Sequence, residues 1–174
     1  MALEGYASLS VKQILQTAKI NRSTFYTYFN NKNDLLDAVE EDLFQGFHEV
    51  SLDVPLNEIT ASQPNKKIMQ EYYHKLVEYI YQNGQKFELL ASDKGDPAFL
   101  SKLLKLDQGI WETNKLIKKV TVPQHYAFMG ILSLITSLIN DWAKHGFQES
   151  PQEFEKILSA MITPILLGDL FNNN

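Results

Sequence analysis

A chain of 174 residues, 44% of them hydrophobic and 21% charged, is long enough for one ample core or for a small head on a larger body. Neither arrangement needs a disulfide or a metal to stabilise it. The absence of cysteine excludes disulfides and thiol catalysis. No run of 18 apolar residues and no basic-then-apolar signal pattern marks a membrane span or secretion, so a cytoplasmic protein is expected. The net charge of −5 is divided unevenly: Lys12, Lys19, Arg22 and Lys32 against Glu4 give residues 1–32 a charge of +3, leaving −8 for residues 33–174. Such a split favours approach to a polyanion by one end only.

At the basic end, Ser10 stands three residues before Gln13, the spacing of a capping box, and Val11, Ile14, Leu15 and Ala18 follow at helical intervals. Asn21 is placed to cap a second short helix from Arg22 to about Phe29, with Phe25 and Phe29 inward and Arg22, Ser23, Thr24 and Thr27 outward. Two short helices joined by a tight turn predict a helix-turn-helix whose second member is the recognition helix. Its outer face suits double-stranded DNA. Arg22, Ser23 and Thr24 place donors at the N-terminal end, where the helix dipole adds to their pull on base edges and phosphates. Tyr26 and Tyr28 each combine an apolar ring with a hydroxyl suited to a phosphate oxygen. Lys32 opens a third helix capped by Asn31 and is expected to meet the DNA backbone; Ser10, Lys12 and Thr27 complete the candidate face.

Ile14, Ala18, Ile20, Arg22, Thr24, Phe25, Tyr26, Tyr28, Phe29, Lys32 and Leu35 follow the ordered pattern I-x-x-x-A-x-(I/V)-x-(R/K)-x-T-(F/L)-Y-x-Y-F-x-x-K-x-x-L, with Gly5-Tyr6 upstream. In this pattern the chain resembles the DNA-binding half of TetR/AcrR-family transcriptional regulators. The resemblance implies an all-helical homodimer with an N-terminal DNA-binding head and a C-terminal domain whose ligand pocket controls operator affinity. Two departures stand out. Lys19 follows Ala18 where the family usually has glycine, so the turn must carry a side chain through a less favourable backbone angle. Only Met1 to Glu4 precede Gly5, so the family's first helix, about four turns long, is nearly absent. The inward faces of Val11, Ile14, Phe25 and Phe29 are therefore expected to be uncovered.

Leu35, Leu36, Val39, Leu43, Phe44 and Phe47 predict a third helix of about four turns leaving the head. Along it Asp34, Asp37 and the run Glu40, Glu41, Asp42 read as a solvated face. By the resemblance this helix links pocket to head. Residues 51–64, SLDVPLNEITASQP, lose helical periodicity and contain two prolines, which predicts a linker between a head of residues 1–50 and a regulatory and dimerisation body of residues 65–174. In the body, Ile68, Tyr72, Tyr73, Leu76, Val77, Ile80 and Tyr81 predict a long helix stopped by Asn83-Gly84. A short segment with Phe87 follows. Asp96 then caps, and Pro97 opens, a helix continuing through Phe99, Leu103, Leu106, Ile110, Trp111 and Ile117. Pro123 opens another, with a broad apolar stripe and a narrow seam of Gly130, Ser133 and Ser137. Ser150 and Glu153 form a capping box before the last helix, which Pro164 is expected to kink. No strand alternation of useful length occurs, so the fold class is all-α.

The last two helices carry more apolar surface than one small body covers, which predicts a subunit interface at Leu134, Leu138, Phe154, Ile157, Leu158, Met161 and Ile165. The resemblance likewise implies a four-helix dimer bundle there. Tyr81, Phe87, Trp111, Tyr126, Phe128 and Met129 are candidate walls of a pocket for a small-molecule effector. The segments KFELLASDKGDPAFL and WETNKLIKK further resemble the C-terminal region of dihydroxyacetone-kinase-type regulators, a branch for which a partner protein can be the signal. His48, His74, His125 and His145 share no metal-ligand spacing, and no HExxH, GxxxxGK[ST] or GxSxG occurs, so neither enzyme activity nor a cofactor or metal is expected. The chain therefore reads as a dimeric, ligand- or partner-responsive transcriptional regulator that binds an inverted repeat in DNA. The alternative, motivated by the short N-terminus, is a TetR-like sensor or protein-interaction module that has lost DNA binding.

Overall fold

The computed structural model describes residues 5–55, 58, 65–113, 120–166, 168 and 170, apart from the side chains of Asp107, Trp111 and Thr113. Among them the regular elements are helical, as the sequence predicts. After a 3-10 turn at Tyr6–Ser8 come α1 (Val11–Ala18), α2 (Arg22–Tyr28), α3 (Lys32–Leu52), α4 (Lys66–Gln82), α5 (Gly84–Ala91), α6 (Phe99–Thr113), α7 (Gln124–Lys144) and α8 (Pro151–Leu166).

Side chains set most of the helix starts. Ser10 and Gln13 form the reciprocal box before α1, Asn21 accepts from the Thr24 amide before α2, and Asn31 accepts from the Asn33 and Asp34 amides before α3. Ser150 and Glu153 repeat the box before α8. Each pairing satisfies amides that the first helical turn leaves without partners. Lys19 ends α1 in the left-handed region, at φ 56° and ψ 37°, with its N–H donated to the Leu15 carbonyl. A side chain in that region costs ~1–2 kcal/mol, the burden expected where the family usually has glycine.

At 21 residues, roughly six turns, α3 is longer than its apolar spacing predicts. It runs through Ser51, which is buried, and Leu52 before Asp53 ends it. Pro55 disfavours helical geometry at the residue before it, so the helix stops short of it. The start of the predicted linker at residue 51 is thus still helix, and residues 56, 57 and 59–64 lie outside the described ones.

Helix α4 lies along α8, α5 and α6 lie against α7, and α3 packs on both α4 and α6. One contiguous core fills the space between them. Leu43 and Phe47 come from α3, Val77 and Ile80 from α4, Phe87 from α5, Leu103 from α6, Ile131 and Ile139 from α7, and Leu158 and Ile162 from α8, all buried. Gly46 lets α3 and α4 close together: a Cβ there would lie 2.5 Å from the Tyr79 hydroxyl oxygen, whose proton goes to the Leu43 carbonyl at 2.7 Å.

Two of the residues assigned to a subunit interface belong to this core. Phe154 and Leu158 are 3% and 1% exposed within the single chain, and Phe154 stacks on Trp142 with ring centroids 4.0 Å apart. The physical reason is that α8 turns its stripe onto α4, far earlier in the chain, and the periodicity of α8 alone does not say what covers it. Leu134, Leu138, Ile157 and Ile165 are half-buried against the core, and Met161 is exposed. On α7, a Cβ at Gly130 would meet nothing within 4 Å, so among the described residues no other helix fills the predicted seam there. Pro164 lies inside α8, which ends two residues later.

Candidate nucleic-acid interface

Helix α2 exposes Arg22, Ser23, Thr24, Tyr26, Thr27 and Tyr28 and buries only Phe25, which is 2% exposed. This corrects the expectation that its inward face would be uncovered: Phe29 packs on Phe25 at 5.5 Å, and Val11, Ile14 and Phe29 are each half-buried. A helix with one buried aromatic needs polar contacts to fix its direction. Asn21 supplies them through one oxygen, which accepts from the Thr24 amide at 2.7 Å, the Thr24 hydroxyl at 2.9 Å and the Ser23 hydroxyl at 2.8 Å. Both hydroxyl protons are thereby committed inward. Ser23 and Thr24, which the sequence presents as donors, offer outward lone pairs in this arrangement, suited to the amino groups of cytosine or adenine; donation to a phosphate requires rotation away from Asn21.

Arg22 is the cation of this face. Its guanidinium lies 5.4 Å from the centroid of the Tyr26 ring one turn along, a contact that steadies the long side chain while its fork of donors remains exposed. The Thr27 hydroxyl donates to the Ser23 carbonyl at 3.0 Å. Tyr28 is 75% exposed, against 44% for Tyr26. Ser10 and Lys12 are exposed at the start of α1.

The corner from α2 into α3 is tied by Asp34, whose carboxylate accepts from the Asn30 amide at 2.9 Å, the Asn30 side chain at 2.7 Å and the Asn31 side chain at 2.8 Å. These bonds, the Asn30 amide foremost, hold its carboxyl below the usual carboxylate range. Lys32 departs from its expected role. Its ammonium donates to the Tyr6 carbonyl at 2.9 Å and the Ala7 carbonyl at 3.0 Å and lies 4.7 Å from the centroid of the Tyr6 ring, so two of its three protons are engaged within the head rather than offered to DNA. The Tyr6 hydroxyl donates to Asn33. The Tyr6 amide donates to the Lys94 carbonyl at 2.7 Å, which fastens the N-terminal turn to the body as well.

Farther along α3, Glu40 corrects the reading of a solvated acidic face, because it is 2% exposed. It pairs with Lys102 of α6, whose ammonium also stands 2.9 Å from Asp96 and 3.8 Å from Asp37. Burial pushes the Glu40 carboxyl up, against the opposing pull of Lys102. Burial also opposes ionisation of Asp96, but the Ala98 amide and Lys102 outweigh it and hold that carboxyl down. The bond from the Ala98 amide to Asp96, at 3.0 Å, is the predicted cap, and α6 begins at Phe99.

The five candidate pocket residues whose side chains are described do not converge. Phe87 lies in the core, edge-on to Phe99 at 6.0 Å; Tyr81 is exposed and stacks on Trp142 at 6.0 Å. Tyr126 and Met129 are exposed on α7, Phe128 is half-buried against the core, and the side chain of Trp111, like Ile117, lies outside the described residues. A small cavity of ≈ 40 Å³ opens elsewhere, among Phe47, Ser51, Tyr73, Ile110, Leu132 and Ile162. That volume suits one or two waters rather than an effector.

An all-helical chain with an exposed, capped helix-turn-helix ahead of a helical body defines a DNA-binding transcriptional regulator. Residues 1–39 match the bacterial regulatory proteins of the tetR family, and residues 67–164 match the TetR-type transcriptional regulator C-terminal region. The chain belongs to the TetR family of transcriptional regulators. It is similar to the HTH-type dhaKLM operon transcriptional activator DhaS of Lactococcus lactis subsp. lactis, being 48% identical over 44 residues, or 25% of this chain and 24% of that protein. The match thus spans about a quarter of that relative's length. Among the described residues no helix is long and apolar enough to cross a membrane.

Proposed function

We propose that two copies of this chain join through their bodies and bind an inverted repeat in double-stranded DNA with the outer faces of their α2 helices. A small molecule or a partner protein bound to the body sets the affinity. The carrying observation is the exposed outer edge of α2, where Arg22 is steadied on Tyr26 and Asn21 organises Ser23 and Thr24. In this reading Arg22 reads a base edge through its fork, Ser23, Thr24 and Thr27 supply further polar contacts, and Ser10, Lys12, Tyr26 and Tyr28 hold phosphates. Lys32 acts as a positioning residue through the carbonyls of the N-terminal turn.

The exposed outer side of α7, with Tyr126, Met129 and the open ground at Gly130, together with Met161 of α8, supports pairing of bodies, with Leu134, Leu138, Ile157 and Ile165 beside it. Two-fold symmetry then spaces the two recognition helices by one turn of DNA, ~34 Å, or a multiple of it. Joining two short heads raises affinity through effective concentration. An effector acts only by preferring one head spacing over another. Helix α3, which runs from the recognition helix into the core, is the lever between head and body.

A gel-shift series against the DNA upstream of the chain's own coding region tests this, with sedimentation to count the copies in the complex. The expected result is two copies on one preferred duplex, with log affinity falling linearly against log salt. Equal binding to all duplexes at low salt contradicts it, and binding to none favours the sensor that has lost DNA binding.

A further inference from the structure

Where α3 meets the body, two carboxyl oxygens are shut away from solvent without a donor: Glu40 Oε1 and Asp96 Oδ2. Lys102 resolves this only in part. Its ammonium pairs with the other Glu40 oxygen and stands 2.9 Å from Asp96 Oδ2, which leaves Glu40 Oε1 with no partner. The Glu40 and Asp96 carboxyls meet at one ammonium, that of Lys102, so the two acids are neighbours in a buried place. Two ionised carboxylates in that position repel, and neither has a proton to give. One proton on the pair gives the bare Glu40 oxygen a hydrogen to donate and leaves Lys102 facing two negative charges, on Asp96 and Asp37, rather than three.

The place of this pair in the fold gives the proton a mechanical role. Glu40 belongs to the lever helix, and Asp96 to the loop of residues 92–96, which the close fit of Gly95 presses onto the end of α5: a Cβ there would lie 2.3 Å from the Leu89 carbonyl oxygen. The same loop holds the Tyr6 amide through the Lys94 carbonyl, and Tyr6 in turn meets Lys32 and Asn33 at the start of α3. We propose that Glu40 and Asp96 share one proton that clasps the lever helix to the 92–96 loop, so that its loss at higher pH loosens this joint and the loop's hold on Tyr6. The clasp is independent of the reading of α2 as a DNA-binding element.

The titratable and charged groups around the pair are Asp37 on the same helix, Glu41 and His48 along the same groove, Lys102 and Lys105 from α6 and the Tyr6 hydroxyl from the N-terminal turn. Lys102 favours ionisation of both acids, whereas burial favours the neutral form. The balance raises Glu40 and lowers Asp96, which places the proton on Glu40. With the folded value raised, the clasp is complete below the ordinary glutamate range and is lost as pH rises through the raised value.

Carbon-detected NMR titration of the side-chain carboxyls in the full chain tests this. One glutamate signal is expected to titrate above the ordinary range and to vanish in Glu40→Gln, whose amide donates to Asp96 at every pH. Hydrogen exchange at the Tyr6 amide is expected to accelerate through that same titration in the wild type, beyond the rise common to exposed amides, and not in Glu40→Gln. In Asp96→Asn the new amide donates to ionised Glu40, so the glutamate signal is expected to shift down; this variant carries the test if Glu40→Gln does not fold. Glutamates that all titrate in the ordinary range, a Tyr6 amide indifferent to the titration, or a signal unmoved in Asp96→Asn would each overturn the proposal.

Discussion

The head and the body of this regulator are held by different means. In the described part of α1 and α2 one side chain, Phe25, is fully buried, and the shape rests on polar contacts of short reach: Asn21 on Ser23 and Thr24, Asp34 on Asn30 and Asn31, Lys32 on the Tyr6 and Ala7 carbonyls. In the body the helices share one apolar core from Leu43 to Leu166. Hydrogen bonds of this kind contribute only about 1 kcal/mol each, whereas a buried core shifts as a unit. The head is therefore the part that small forces can rearrange, and the body the part that delivers them.

The contrast breaks first in the body if it is wrong. Phe154→Ala is expected to lower the unfolding free energy in urea by about 3–5 kcal/mol, as for any large core aromatic, with the oligomeric state unchanged. Dissociation with little loss of stability would return Phe154 to a subunit interface. In the head, Asn21→Ala removes the acceptor of three donors and is expected to cost about 1 kcal/mol. Hydrogen exchange should rise in α2 alone; an equal rise in the body amides would show one cooperative unit. Lys19→Gly relieves the left-handed residue at the turn and is expected to stabilise the head by roughly 1 kcal/mol or less, read as slower exchange in α1.

The smallest effect concerns Asp34. Its lowered value, caused first by the Asn30 amide, means that its contribution to stability is present above the ordinary aspartate range and is lost as pH falls through the lowered value. Acid titration followed at the Asn30 amide should show this transition in the wild type and lose it in Asp34→Asn.

What could be read from the sequence follows the range of the interactions. The caps at Ser10, Asn21, Asn31 and Ser150 act on residues two or three positions ahead, so spacing alone locates them. Glu40 was open to the same kind of reading: Leu36, Glu40, Leu43 and Phe47 share one phase of α3, so a carboxylate stands on the inward stripe. Its partner Lys102 lies 62 residues away and carries no local signal. Lys32 was obscured in the same way, because its acceptors are carbonyls 25 and 26 residues earlier. Phe154 and Leu158 show the limit of periodicity, which identifies an apolar face but not its cover. The pocket candidates show the limit of composition, since aromatic residues in mid-sequence serve equally as core, as at Phe87, and as exposed surface, as at Tyr126.

In the proposed complex the exposed edge of α2 lies against the duplex, with Arg22 reading a base and Tyr28 holding the backbone. Binding of the full chain to its preferred duplex and to single-base variants, compared for Arg22→Ala and Tyr28→Phe, tests this most directly. Arg22→Ala is expected to lose ~1–3 kcal/mol of discrimination at one position of each half-site, while Tyr28→Phe weakens every duplex by the same factor. Unchanged discrimination in Arg22→Ala, or binding untouched by either substitution, would contradict the claim.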